Sequence, residues 1–278
     1  MTDLEQKADW SSVYTQPTPA EYLLHVRQSE YNAPDFACHF LRPLIKQMTS
    51  ALGRPLSIMD LGASYAILTT MLRYDLTLDE LINIFVEGET LRSLEWTDIE
   101  QSYQALHHRL VDQSRHYLTD VSKPAMDFAK RLHLCDQAFC LDMDRNGPSI
   151  ALLERIPDVD LYVAVGSLAY IGNTFFEKAL SIITKRSLSP TFVFVVYRIF
   201  FPGKLEELFK VHGYTLRRIG EPFKRGRRFA SDTEQGWVID TMKAQGIDTM
   251  GFEDNGYYGC EILLAEHQEK LPFHQQQK

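Results

Sequence analysis

The run Leu56-Ser57-Ile58-Met59-Asp60-Leu61-Gly62-Ala63-Ser64-Tyr65-Ala66 constrains the fold more than any other stretch. It reads as an apolar strand that ends in an acid, turns at a glycine and enters a helix. A doubly wound α/β domain begins this way when it must hold a nucleoside-containing ligand at the carboxyl end of its first strand. An acid at that point suits a cationic tail better than a pyrophosphate. The turn has one glycine, Gly62, where a dinucleotide fingerprint wants three, which opposes a nicotinamide cofactor.

The same strand, turn and helix occur in α/β proteins that bind nothing there, so the rest of the chain decides. Residues 117–122 read as a short strand ending in Asp120, after which Ser122 can cap a helix and Pro124 fits its first turn. Residues 138–142 are strand-like and end in Asp142. Residues 160–166 and 192–197 are almost continuously apolar, as parallel strands covered on both faces are. Between them Phe175, Phe176, Ala179, Leu180 and Ile183 mark one helix face. Residues 214–219 and 257–265 read as closing strands. Alternating strands and helices predict a doubly wound α/β sheet.

Upstream, residues 20–52 look helical, with a break near Pro34 that should push Ala33 out of the helical region and leave Asp35 to cap the second helical piece. Residues 74–115 carry helical spacing without a strand signal. The expected organisation is a flexible arm over 1–19, a helical cap over 20–54, and an α/β domain over 55–266. That domain carries a helical insertion at 74–115 after its first βα unit, and a disordered tail is expected over 267–278.

Composition narrows the function. The 278 residues carry a net charge of -8, which opposes a duplex nucleic-acid face. The longest apolar runs are too short to span a bilayer, so no membrane partner is expected. Four scattered cysteines and a polar start without a leader profile suggest reduced thiols and a cytoplasmic setting. His107-His108 and Cys135 with Cys140 lack structural-zinc spacing, so no metal is expected. The basic run Lys224-Arg225-Gly226-Arg227-Arg228-Phe229 is either a solvated loop or a grip on an anionic substrate group.

The succession of three acids at three strand ends, together with Thr119-Asp120-Val121-Ser122-Lys123-Pro124-Ala125-Met126-Asp127-Phe128-Ala129, resembles the class I S-adenosylmethionine (SAM) methyltransferases from about residue 56 to residue 265. The resemblance implies a Rossmann-like methyltransferase sheet whose closing strands run antiparallel at one edge, with residues 251–264 supplying the last hairpin. It implies SAM as cofactor. Asp60, Gly62, Ala63 and Ser64 would wrap its methionine end, Asp120 and Val121 would hold the ribose, Asp142 and Met143 the adenine, and Val165 and Gly166 would border the methyl. The chain departs from the family at the turn, where Ala63-Ser64-Tyr65-Ala66 replaces glycines and Tyr65 would crowd the cofactor unless it turns away.

The implied enzyme methylates a small molecule, with oxygen slightly favoured over nitrogen or carbon. His25, His39 and Tyr170 are the candidate catalytic groups, and Tyr31, Arg198 and Arg228 the candidate substrate-binding ones. The alternative is a degenerate methyltransferase-like fold that serves as a partner protein without catalysis. Pairing into a homodimer stays open.

Overall fold

A computed structural model describes residues 11–144 and 146–269. Three helices, α1 (Ser11–Tyr14), α2 (Ala20–Gln28) and α3 (Ala33–Leu52), precede the first strand, β1 (Ser57–Leu61). Then come α4 (Ile67–Tyr74), α5 (Leu78–Phe85) and α6 (Trp96–Ala105), with a two-residue ribbon pairing Val86–Glu87 to Thr90–Leu91. The alternating part continues with β2 (Arg115–Asp120), α7 (Lys123–Arg131), β3 (Gln137–Cys140), α8 (Ile150–Leu153) and β4 (Leu161–Val165). After it stand α9 (Asn173–Lys185), β5 (Thr191–Tyr197), α10 (Gly203–Val211), β6 (Tyr214–Arg228), α11 (Asp232–Ala244) and β7 (Tyr257–His267).

The seven strands form one sheet in the order β3-β2-β1-β4-β5-β7-β6. The first five pair in parallel, and β7 runs antiparallel to both β5 and β6. This is the doubly wound, Rossmann-like methyltransferase sheet that the strand rhythm and its resemblance predicted. Each central strand is buried on both sides, and side-chain alternation sorts its residues between two cores. Ile58, Leu118 and Val163 pack under α2 to α5 and α7, while Met59, Tyr162 and Phe192 pack under α9 and α10. The strand order reverses between β2 and β4, which flank β1, and the open ends of those strands are where such a sheet takes ligands.

Several local readings change. The expected arm over 1–19 lies outside the described residues for 1–10; between Val13 and Gln16 its backbone is held by side chains of the α/β domain. Tyr65 donates to the Gln16 carbonyl at 2.7 Å and the Val13 carbonyl at 3.2 Å, and Ser122 Oγ donates to the Tyr14 carbonyl at 2.6 Å. Pro34 does not displace Ala33. It sits in the first turn of α3, where its missing N–H costs nothing. Asp35 caps no helix of its own and instead accepts the Leu78 N–H at 3.0 Å, tying the cap to α5. At the far edge β6 continues through the basic run to Arg228, and α11 separates it from β7 where a plain hairpin was expected. Strand β3 stops at Cys140, so Asp142 stands in the loop after it. Of the expected tail, His267 closes β7, and residues 270–278 lie outside the described residues.

Candidate active site

The turn after β1 is built as a three-glycine turn with one glycine. Gly62, Ser64 and Ala66 all adopt positive φ, at 72°, 52° and 60°. Glycine adopts this conformation freely, while other residues give up about 1 kcal/mol or more for it. Gly62 is also fixed by contact, because a Cβ there would lie 2.5 Å from Ser167 Cβ. The Ser167 hydroxyl meanwhile donates to the Leu61 carbonyl at 2.6 Å, clasping the ends of β1 and β4. Tyr65 does turn away: it is fully buried, stacks with Tyr14 and Tyr22, and spends its hydroxyl on the N-terminal segment.

Asp120 closes the turn from the side. Its two carboxylate oxygens accept the Ser64 and Ser122 N–H groups, each at 2.8 Å. A carboxylate has about four lone-pair positions, and with the Val121 N–H also bonded to it one remains for a hydroxyl. Burial raises its pKa even against those hydrogen bonds. Asp60 is 3% exposed, and Thr69 is a distant donor at 3.4 Å. Burial first, and then the charge of Asp120, push its carboxyl up to about 7. A buried carboxylate held this far up is poised to take a cation.

These groups line a cavity of about 620 Å³ at the open ends of β1, β2, β4 and β5. That volume lies within the range of small-molecule and cofactor sites, about 300–1,000 Å³. On the β1, β2 and β3 side of the sheet its lining includes Asp60, the Gly62, Ala63 and Ser64 turn, Asp120 and Val121, with Asp142 and Met143 after β3. Tyr14 and Tyr22 reach in from α1 and α2. Burial raises both phenols, Tyr22 to about 12, so they stay protonated near neutral pH.

Val165 and Gly166 stand at the end of β4, midway along the sheet, and the part of the same cavity that lies on the β5, β7 and β6 side of them is its second compartment. Tyr31 crosses above Gly166 so closely that a Cβ on that glycine would sit 2.3 Å from the phenol oxygen. Beyond it stand Tyr197, Trp237 and Tyr258, with a partly buried ion pair between Arg227 and Glu234 at 2.6 Å. Tyr170 is 44% exposed at the rim.

Four sequence candidates fall outside the cavity. His25 and His39 lie on the exposed faces of α2 and α3. Arg198 is buried, but it binds Glu253 at 2.6 Å and the Asp248 carbonyl at 2.8 Å, and it packs on the Phe252 ring; it fixes the loop before β7. Arg228 pairs with Glu30 on the outer face. Its neighbour Arg227 is the inward one, because successive strand residues point to opposite sides. Tyr14, Tyr22, Tyr197, Arg227, Glu234, Trp237 and Tyr258 were not singled out from the sequence. Only the basic run gave a signal, one residue away from the arginine that matters.

No family model matches this chain, and no curated protein matches it in sequence. Among solved structures it is similar to a SAM-dependent methyltransferase from Archaeoglobus fulgidus, at 9% identity over 88% of this chain and 99% of that one, with a TM-score of 0.43. It is similar to a magnesium protoporphyrin IX methyltransferase from Synechocystis PCC 6803 with bound SAM, at 11% identity over 83% and 80% of the two chains, TM-score 0.38. A third is a 1,6-didemethyltoxoflavin-N1-methyltransferase from Burkholderia thailandensis with bound 1,6-didemethyltoxoflavin and S-adenosylhomocysteine (12% identity, 82% and 78%, TM-score 0.38). Likeness this distant concerns the fold alone; the strand order and the reversed β7 define that fold without it.

Proposed function

We propose that this chain is a SAM-dependent methyltransferase acting on a small-molecule acceptor, with transfer to oxygen slightly favoured. The observation that carries the proposal is the convergence, at one cavity on the topological switch point, of a left-handed turn with the Asp60 and Asp120 carboxylates.

The residues present fit the cofactor. Asp60 is buried and raised in pKa, and the sulfonium and ammonium of SAM are the cations that would return it to its charged form. Asp120 keeps an acceptor position for a ribose hydroxyl. Asp142 is exposed at the cavity wall, where it can accept from an exocyclic amine, and Val121, Leu141 and Met143 give that end apolar walls. When bound, the cofactor supplies an electrophilic methyl group. The chain's own work is then alignment: an in-line displacement needs its two reactants held in register, and that alone is worth several orders of magnitude. Val165, Gly166 and Tyr31 stand where the two compartments meet. Proton removal, where the acceptor needs it, does not fall to His25 or His39, which face solvent.

The non-catalytic alternative drew its strength from the missing glycines. Ser64 and Ala66 adopt the conformations that glycines would, which weakens it. Thermal-shift measurements with SAM, S-adenosylhomocysteine, NADH and ATP test the proposal. Stabilisation by the first two only is the expected result. Stabilisation by NADH instead, or by none of the four, counts against it.

A further inference from the structure

On the proposed methyltransferase reading, we infer that the second compartment selects an uncharged aromatic acceptor, and that the Arg227–Glu234 pair is its polar selector. The compartment is walled by Tyr31, Tyr197, Phe200, Trp237 and Tyr258. Aromatic walls bury large areas and favour flat, polarisable ligands. The charges that line it are Arg227 and Glu234, and each is already spent on the other.

Arg227 is 6% exposed. It donates to Glu234 at 2.6 Å and to the Arg228 carbonyl at 3.1 Å, and it lies 4.8 Å from the Tyr258 ring centre. Burial alone would lower its pKa, yet its pKa stands above the ordinary value, and the Glu234 charge and hydrogen bond help to keep it cationic. Glu234 is equally occupied. One oxygen accepts from Arg227 and from Tyr258 at 2.9 Å, and the other accepts the Ala230 N–H at 2.6 Å. An anionic acceptor would compete with Glu234 for a neutralised guanidinium. A cationic one would compete with Arg227 for a carboxylate that already accepts three hydrogen bonds. On that side either would lose its hydration without a free counter-charge, because the other acids of the cavity, Asp60, Asp120, Asp142 and Asp144, stand on the side given to the cofactor. A neutral ring with one hydroxyl loses little water and can still share the leftover guanidinium donors or a tyrosine hydroxyl.

Calorimetric titration of the full chain with 2-naphthol, 2-naphthoate and 2-naphthylmethylammonium tests this, with S-adenosylhomocysteine titrated separately. The expected result is that 2-naphthol binds at least about tenfold more tightly than either charged analogue. Equal or tighter binding of a charged analogue overturns the inference, and so does binding of none. In Glu234→Gln, Arg227 loses its counter-charge, and the preference should move toward 2-naphthoate by about tenfold. An unchanged ratio in a folded variant overturns the selector role, and the wild-type ratio stands as a test even where the variant does not fold. Naphthol selectivity without S-adenosylhomocysteine binding would retain the aromatic chamber and remove the methyl-transfer reading. Binding of S-adenosylhomocysteine with a preference for charged acceptors would do the reverse.

Discussion

Asp60 is the residue at which chemistry and stability are most directly coupled. Its folded pKa, near 7, stands above the ordinary carboxylate value, so the folded state holds a proton that the unfolded chain has released. The stability this gives is full below about pH 4 and is lost as pH rises through 7. Asp60→Asn should therefore raise the ligand-free melting temperature at pH 8, by an amount corresponding to about 4 kcal/mol at most, and raise it much less at pH 5. A variant less stable than the parent at pH 8 would contradict this. Binding runs the other way: a cation favours the ionised acid, so SAM affinity should rise from pH 6 to pH 8 with proton release, and the slope should vanish in Asp60→Asn. The turn offers a second test. Ala66 is buried with φ of 60°, and Ala66→Gly should stabilise the chain by about 1 kcal/mol in urea unfolding. A destabilised variant would show that the alanine methyl contributes more through packing than it costs in backbone strain. These residues also show what local sequence can reveal. Asp60, Asp120 and Gly62 follow from a strand and a turn. That Ser64 and Ala66 would take left-handed conformations does not, because no side chain there advertises it.

Among the elements, the N-terminal segment and β6 diverge most from a sequence reading. Residues 13–16 offer backbone carbonyls that Tyr65 and Ser122 bind, so the segment is latched beside the turn by groups distant in sequence. Their polar composition reads as a loose arm because its partners lie about fifty and a hundred residues away. Tyr65→Phe removes one donor from two carbonyls and should cost about 1–2 kcal/mol. It should also speed proteolytic cleavage within residues 11–19, with S-adenosylhomocysteine restoring protection. Cleavage at the parental rate would mean that the latch does not hold the segment. In β6 the basic run continues a strand. Alternation sends Arg227 inward and Arg228 outward, and only register could tell which. Helix α11 supplies Glu234 and Trp237 to the site, yet its pattern of Asp232-Thr233-Glu234-Gln235-Gly236 carries no strong apolar stripe before Trp237.

For the molecule as a whole, the rhythm of strands and helices carried the reading a long way. Apolar runs located the buried strands, and the acids at strand ends located the open edge of the sheet where the cavity lies. The second compartment was not legible in advance. It is assembled from the break before α3, the end of β5, the continuation of β6, α11 and β7, and no local pattern records that meeting. Charge balance within it is likewise a property of the assembled pair. None of the described helices is long and apolar enough to cross a membrane, and among the described residues no group of three or more metal-ligating side chains converges. The proposed function rests on the cavity at the open strand ends. Titration calorimetry with S-adenosylhomocysteine, with NADH as control, reaches it most directly, and Asp120→Asn is the variant to run beside it. Asparagine keeps the shape of the side chain and one of the two acceptor oxygens, whereas alanine removes the acceptors of both the Ser64 and the Ser122 N–H. The expected outcome is micromolar binding of S-adenosylhomocysteine, a loss of at least about tenfold in Asp120→Asn, and no heat from NADH. Absence of S-adenosylhomocysteine binding by the folded wild-type protein would contradict the central claim.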